Sequence, residues 1–178
     1  MQYVNNPEAQ NIFIESQNRV RSMALIHEKL YRSSNLARIN FSNYVESLVK
    51  GLISSYSKIP GQVNVILDLE DVSLNIETAM PCRLIINELV SNSLKHAFKD
   101  HLNNEIKIKF FYIDGLHTLM ISDNGSGFPG DIDFRNTDSL GMQLVNSLVS
   151  QFDGKIEMEI GAGTCFKIIF KEIPRKEN

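Results

Sequence analysis

Asn87-Glu88-Leu89-Val90-Ser91-Asn92-Ser93-Leu94-Lys95-His96-Ala97-Phe98 is the stretch whose reading decides the fold. Read as a helix, it spaces Glu88, Asn92 and Lys95 at steps of four and three, so the three share one face. Ile85, Ile86, Leu89 and Val90 supply the apolar side. A carboxylate, an amide and an ammonium on one stripe suit a metal–phosphate ligand: oxygen donors for a hard cation, a cationic donor for phosphate oxygens. The stripe also reads as a solvated helix face on which Glu88 pairs with Lys95. The helix alone leaves both readings open.

Downstream, Glu105 to Ile113 and Leu116 to Ser122 predict two strands joined at Asp114-Gly115, a strong hairpin signal. Ile106, Ile108 and Phe110 alternate with Lys107 and Lys109. Asp123 to about Ser139 reads as a loop rich in Gly, Pro, Asp and Asn; loops of this length inside a compact domain are usually functional. Leu140 to Gln151 predicts a short helix. Asp153-Gly154 then turns into a final hairpin, Lys155 to Ile160 and Thr164 to Lys171, through Gly161-Ala162-Gly163.

Upstream, helix periodicity places the start of the central helix near Ala79, with Pro81 in its first turn and Leu74 to Thr78 extended. Val63 to Leu69 alternates as a strand with Val63, Val65, Leu67 and Leu69 on one face, after a turn at Ile59-Pro60-Gly61. Ser42 is a candidate N-cap for a helix from Asn43 to about Tyr56, after a short extended piece from Ala37 to Phe41. Pro7 to about Ser33 predicts one long amphipathic helix whose apolar stripe (Ile12, Phe13, Val20, Met23, Ala24, Ile26, Leu30, Tyr31) needs a partner, on the domain or in a dimer. His27 lies near that stripe and reads as a packed side chain, because it lacks an orienting carboxylate. The sequence thus predicts an α+β class: a mixed, largely antiparallel sheet with helices on one face.

With 178 residues and 43% apolar content, the chain is long enough for one domain with a real core. A formal charge of −3 with no Lys/Arg block points away from nucleic acid. Cys82 and Cys165 lie far apart in apolar-periodic segments and read as buried free thiols. No apolar run approaches membrane-spanning length, so no direct membrane contact is expected.

Three further signals accompany the central helix. Asp123 shares parity with Leu119 and Ile121, which puts a carboxylate on the core side at the end of a strand. Such a group needs donors, and the exocyclic amine of a purine is one. Gly125 and Gly127 behind it permit positive φ and close approach to a flat ligand. Asp-Asn-Gly also serves as a plain turn. Ser139-Leu140-Gly141 opens a helix whose free N–H groups suit phosphate, or is a simple helix start. Gly161-Ala162-Gly163-Thr164 is a hairpin turn or a second close approach with a hydroxyl to offer.

In this order and spacing, the four signals resemble the ATP-binding domain of the GHKL superfamily, over about Ile39 to Phe170. The resemblance implies a two-layer, Bergerat-type sandwich and the cofactors ATP and Mg2+. It implies Glu88 as the catalytic carboxylate, Asn92 as the magnesium ligand, and Lys95 and His96 as basic residues near the phosphates. Asp123 would receive the adenine amine. Gly125 and Gly127 match the first glycine box, Gly141 the second, and Thr164 the threonine beside the adenine. Phe128 to Ser139 would be an ATP lid that orders on nucleotide binding.

The run Arg19-Val20-Arg21-Ser22-Met23-Ala24-Leu25-Ile26-His27-Glu28-Lys29-Leu30-Tyr31 resembles the second helix of the dimerisation and phosphotransfer domain of sensor histidine kinases related to the HWE subclass. That implies residues 1–36 as the remaining helix of this domain, 37–173 as the catalytic domain and 174–178 as a polar tail. It further implies a homodimer through the 7–33 helix, a response-regulator receiver domain as partner, a cytoplasmic location, and a phosphoacceptor histidine on a helix preceding Met1. His27 is outside the acceptor motif. Alternatives within the superfamily are a serine kinase of the anti-sigma type, an ATP-gated clamp, for whose transducer domains there is no room, and a non-catalytic nucleotide-binding module.

Overall fold

The computed structural model describes residues 38–55, 63–98, 103–130, 132–137 and 139–174. The chain divides into two compact units, Met1–Ala37 and Arg38–Asn178. The expected 7–33 helix, His27, the turn at Ile59-Pro60-Gly61 and most of the tail lie outside the described residues.

The second unit opens with strand β1 (Ile39–Asn40) and helix α1 (Phe41–Ser55). The cap of α1 is Asn40 rather than Ser42: its Oδ1 accepts the Asn43 N–H at 3.0 Å, while its Nδ2 donates to Asp71 at 2.7 Å. The Ser42 hydroxyl instead donates to the Glu70 carbonyl at 2.6 Å. Strand β2 (Val63–Leu69) follows, then β3 (Ser73–Leu74), which pairs antiparallel with β1.

The central helix α2 runs Ile76–Asn92 and continues as a π-helical turn over Ser93–Ala97. It begins three residues earlier than the periodicity suggests. Asn75 is the cap, its Oδ1 accepting the Thr78 N–H at 2.8 Å, and Glu77 favours the positive helix end. Pro81 is therefore inside the helix, where it has no N–H to give to the Glu77 carbonyl. The helix is buried on nearly every side: Ile85, Ile86 and Val90 are fully covered, and Arg83, Asn87, Glu88 and Ser91 are buried too. It is not a solvated face. Arg83 lies over the Tyr44 ring of α1 at 5.6 Å, and burial pushes the Tyr44 hydroxyl up to about 12.

The remaining elements are β4 (Asn104–Ile113), β5 (Leu116–Asp123), α3 (Leu140–Gln151), β6 (Lys155–Gly161) and β7 (Gly163–Phe170). The five-stranded sheet has the order β2-β4-β5-β7-β6, with β2 parallel to β4 and the other pairs antiparallel. Parallel pairing of β2 with β4 needs a crossover, and α2 supplies it. Asp114 and Gly115 take φ of +51° and +82°, the pair of left-handed residues that a tight hairpin requires.

One sheet face carries Ile106, Ile108, Phe110, Leu119, Ile121, Phe166, Ile168 and Phe170, and all three helices pack on it. The opposite face is charged, with Lys109 paired to Asp68 at 3.4 Å. β4 and β7 therefore show period-2 alternation, and β5 delivers Asp123 on the helix side, opposite Ile106.

Candidate functional site

The site forms where the end of β5, the end of α2 and the start of β7 converge. Asp123 is the last residue of β5. Its Oδ1 accepts the Gly125 N–H at 3.1 Å and the Thr164 N–H at 3.3 Å. Its Oδ2 accepts the Ser93 hydroxyl at 2.7 Å. The strand-end carboxylate therefore has the donors that its position demands.

Two glycines make this convergence possible. A methyl group at Gly125 would lie 2.4 Å from both Cβ and carbonyl oxygen of Ala97. Gly125 is thus required for space, whereas Gly127 is the one that takes positive φ, +80°. A methyl group at Gly163 would lie 1.9 Å from the Asp123 carbonyl oxygen. The glycine loop is tied to the helix by the Ser126 N–H, which donates to the Ala97 carbonyl at 3.0 Å. The π-helical turn ends at this carbonyl; such turns widen a helix by one residue and occur often at functional sites.

Glu88 and Asn92 stand one helical turn apart on α2. Glu88 is 4% exposed and takes a long contact from the Asn87 amide at 3.4 Å. The Asn92 amide nitrogen donates to Met142 Sδ at 3.6 Å, which links α2 to the first turn of α3 and turns the amide oxygen away from that sulfur. Lys95 is half-buried and His96 exposed; the His96 carbonyl accepts the Ser126 hydroxyl at 3.5 Å. Gly141 is buried in the first turn of α3, where Ser139 provides no side-chain cap. Among the described residues, no side chain caps the first N–H groups of that helix.

Among the described residues, no three His, Cys, Asp or Glu side chains gather to hold a metal. An ion that arrives with phosphates and keeps its waters, as Mg2+ does, would need few protein oxygens here, and the Asn92 amide oxygen is one that could serve. The donor set does not fit an ion held by the protein alone.

The expected lid, Phe128 to Ser139, is anchored at its middle. Phe134 is buried and meets Phe166 edge-on at 5.7 Å, as Phe128 does at 6.2 Å. The Phe134 carbonyl accepts the Asn146 amide at 2.8 Å, Arg135 donates to the Ile156 carbonyl at 2.9 Å, and Gln143 donates to the Thr137 carbonyl at 2.9 Å. Of the two thiols, Cys82 is fully buried, but Cys165, beside Thr164, is only half-buried. Burial, reinforced by Glu159 and Asp123, pushes the Cys165 thiol up and disfavours the reactive thiolate.

The structure thus joins Asp123, Gly125 and Thr164 by hydrogen bonds, and sets Asn92 against α3 beside Gly141. Sequence reasoning gives no role to Ser93 or Ala97, whereas the Gly161-Ala162-Gly163-Thr164 run reads as a turn or a close approach, and Gly163 is where the approach occurs. Ser93 follows Asn92 directly, and only its 30-residue jump to Asp123 in the folded chain discloses its role.

Residues 77–174 match the family described as histidine kinase-, DNA gyrase B-, and HSP90-like ATPase, and residues 1–56 match one described as histidine kinase. The chain is 29% identical over 157 residues to the sensor histidine kinase PdtaS of Mycobacterium tuberculosis, covering 86% of this chain and 30% of that protein. It is 28% identical over 110 residues to the blue-light-activated histidine kinase 2 of Erythrobacter litoralis, covering 61% and 32%. The chain spans about a third of the length of these relatives. Among solved structures, the histidine kinase domain of an Erythrobacter litoralis blue-light activated histidine kinase superposes with a TM-score of 0.69 at 25% identity, covering 74% of this chain and 61% of that one. The chain therefore belongs to the histidine kinase-, DNA gyrase B-, and HSP90-like ATPase family.

Proposed function

We propose that this domain binds ATP with Mg2+ and passes the γ-phosphoryl group to a histidine, for relay to the aspartate of a response-regulator receiver domain. Asp123 receives the adenine amine, beside Thr164 and the glycines Gly125 and Gly127. The first turn of α3 at Gly141, with Lys95 and His96, faces the phosphates. Asn92 would hold the magnesium, which would supply neutralising charge to the phosphate oxygens. Glu88 orients the acceptor imidazole so that its nitrogen attacks the γ-phosphorus as the bond to the β-phosphate oxygen breaks and ADP leaves.

The observation that carries the reading is the Asp123 carboxylate, fixed by three donors at the end of β5, within reach of the same helix that bears Glu88 and Asn92. Residues 1–36 would be a helix of the dimerisation and phosphotransfer unit, making the protein a homodimer. Residues 37–173 would be the catalytic domain and 174–178 a tail, at work in the cytoplasm. No helix among the described residues is long and apolar enough to cross a membrane.

The test is a calorimetric titration of ATP into the chain, with and without magnesium, for wild type, Asp123→Asn and Asn92→Ala. Binding should strengthen with magnesium, weaken at least tenfold in Asp123→Asn, and lose its magnesium dependence in Asn92→Ala. No binding by folded wild type would overturn the reading. None of the four histidines of the chain is assigned as acceptor, so no acid-labile label should remain on it after incubation with radiolabelled ATP.

A further inference from the structure

We propose that Ser93 is a positioning residue for base selection: its hydroxyl holds the Asp123 carboxylate in the orientation that accepts a 6-amino purine and rejects a 6-oxo purine. The inference rests on the role given to Asp123 above, and adds a residue to which that role assigns nothing.

The Asp123 carboxylate has two oxygens with different company. The two backbone donors, from Gly125 and Thr164, converge on Oδ1 at 3.1 and 3.3 Å. Both distances are at the long end of N–H···O bonds and allow the group some rotation. Ser93 donates to Oδ2 at 2.7 Å, the short length of a hydroxyl bound to a carboxylate. The Ser93 hydroxyl has a second acceptor in reach, the Leu89 carbonyl one turn back at 3.3 Å. It has one hydrogen, so it cannot serve both, and the shorter bond to the carboxylate takes it. Ser93 is 7% exposed, so water does not compete freely for that hydrogen. The backbone that carries Ser93 is the start of the π-helical turn whose far end is tied to the glycine loop through Ala97 and Ser126. The hydroxyl is therefore held from both ends of one short element.

Adenine offers a donor at position 6 and an acceptor at position 1. A 6-oxo purine reverses both: an oxygen at position 6 and an N–H at position 1. A carboxylate free to turn could follow the donor from position 6 to position 1 and tolerate either base. One pinned at both oxygens keeps an acceptor facing position 6, where a carbonyl oxygen meets it without a hydrogen between them. Sites built around fixed polar groups reject the analogue that leaves them unpaired, whereas loose sites do not.

The experiment compares binding of ATP, inosine triphosphate (6-oxo) and purine riboside triphosphate (hydrogen at position 6) to wild type, Ser93→Ala, Ser93→Thr and Asp123→Asn. In Ser93→Ala, ATP should weaken about tenfold, and the other two nucleotides should hold, so the preference for ATP over inosine triphosphate falls about tenfold. Ser93→Thr, which keeps the hydroxyl, should retain the preference. Equal weakening of all three nucleotides would make Ser93 a purely structural residue and overturn the inference, as would an unchanged preference. Should Ser93→Ala lower the melting temperature too far to measure, Ser93→Cys keeps the size with a much weaker donor and is read by the same criteria. A preference that collapses in Asp123→Asn but not in Ser93→Ala removes Ser93 alone. A preference that survives Asp123→Asn removes the role of Asp123 itself.

Discussion

Gly163→Ala and Gly161→Ala differ by two positions in one turn and should differ by several kcal/mol. At Gly163 the backbone has φ +138°, and an added methyl group would lie 1.9 Å from the Asp123 carbonyl oxygen and 2.8 Å from the Asn124 Cα. These are backbone atoms of the neighbouring strand and its loop, and they cannot rotate aside. A carbon–oxygen contact settles near about 3.3 Å, so β7 and the end of β5 must part by roughly 1.4 Å. Backbone strain of about 1–3 kcal/mol and overpacking of about 1–3 kcal/mol together predict a loss of about 2–6 kcal/mol. The same separation breaks the Thr164 N–H bond to Asp123, so nucleotide affinity should fall as well. At Gly161 nothing lies within 4 Å of the new methyl group, and its effect should stay within about 0.5 kcal/mol. Urea unfolding with unchanged slope gives both numbers. A Gly163→Ala variant within about 1 kcal/mol of Gly161→Ala would refute the reasoning, because it would mean that the two strands are not held at this distance.

Asn75→Ala should cost about 2–4 kcal/mol, since it removes the α2 cap and strips the Ile173 carbonyl of its 2.7 Å donor. A loss under about 1 kcal/mol in thermal or urea unfolding would show that the cap is not what starts the helix. His117 lies among Phe110, Tyr112 and Phe170 with Nδ1 lacking a hydrogen-bond partner among the described residues. Burial holds its pKa below the usual histidine value; Glu172 opposes and Arg38 reinforces this. The unfolded chain takes up the proton first as pH falls through about 6.5. Stability should therefore drop below that pH and level off beneath the folded pKa. His117→Phe should flatten this part of the curve; parallel curves for the two proteins would contradict it.

Much of the fold was legible because local chemistry and tertiary packing agreed. The Asp114-Gly115 hairpin, the strand Val63–Leu69 and the helix Leu140–Gln151 stand where turn residues and periodicity put them. The start of α2 was not, because Leu74 to Thr78 alternates apolar and polar like a strand, and Pro81 mimics a first-turn proline. The deciding facts are tertiary: Asn75 is gripped by Glu172 and Ile173, nearly a hundred residues on. In the candidate site, Asp123 announced itself by parity, yet its partner Ser93 did not, since a serine after Asn92 looks like any helix surface residue. Likewise Gly161 and Gly163 are indistinguishable in sequence, and only the distance to Asp123 separates them.

The pinned midpoint of the lid has a kinetic consequence. With Phe134 seated against Phe166, the segment cannot swing as a single door. Beyond Phe134 the chain is held again, by Arg135 on the Ile156 carbonyl and by Gln143 on the Thr137 carbonyl. Any nucleotide exchange that needs the whole segment to open would first have to unseat Phe134 from Phe166. A slow release step would mark that event.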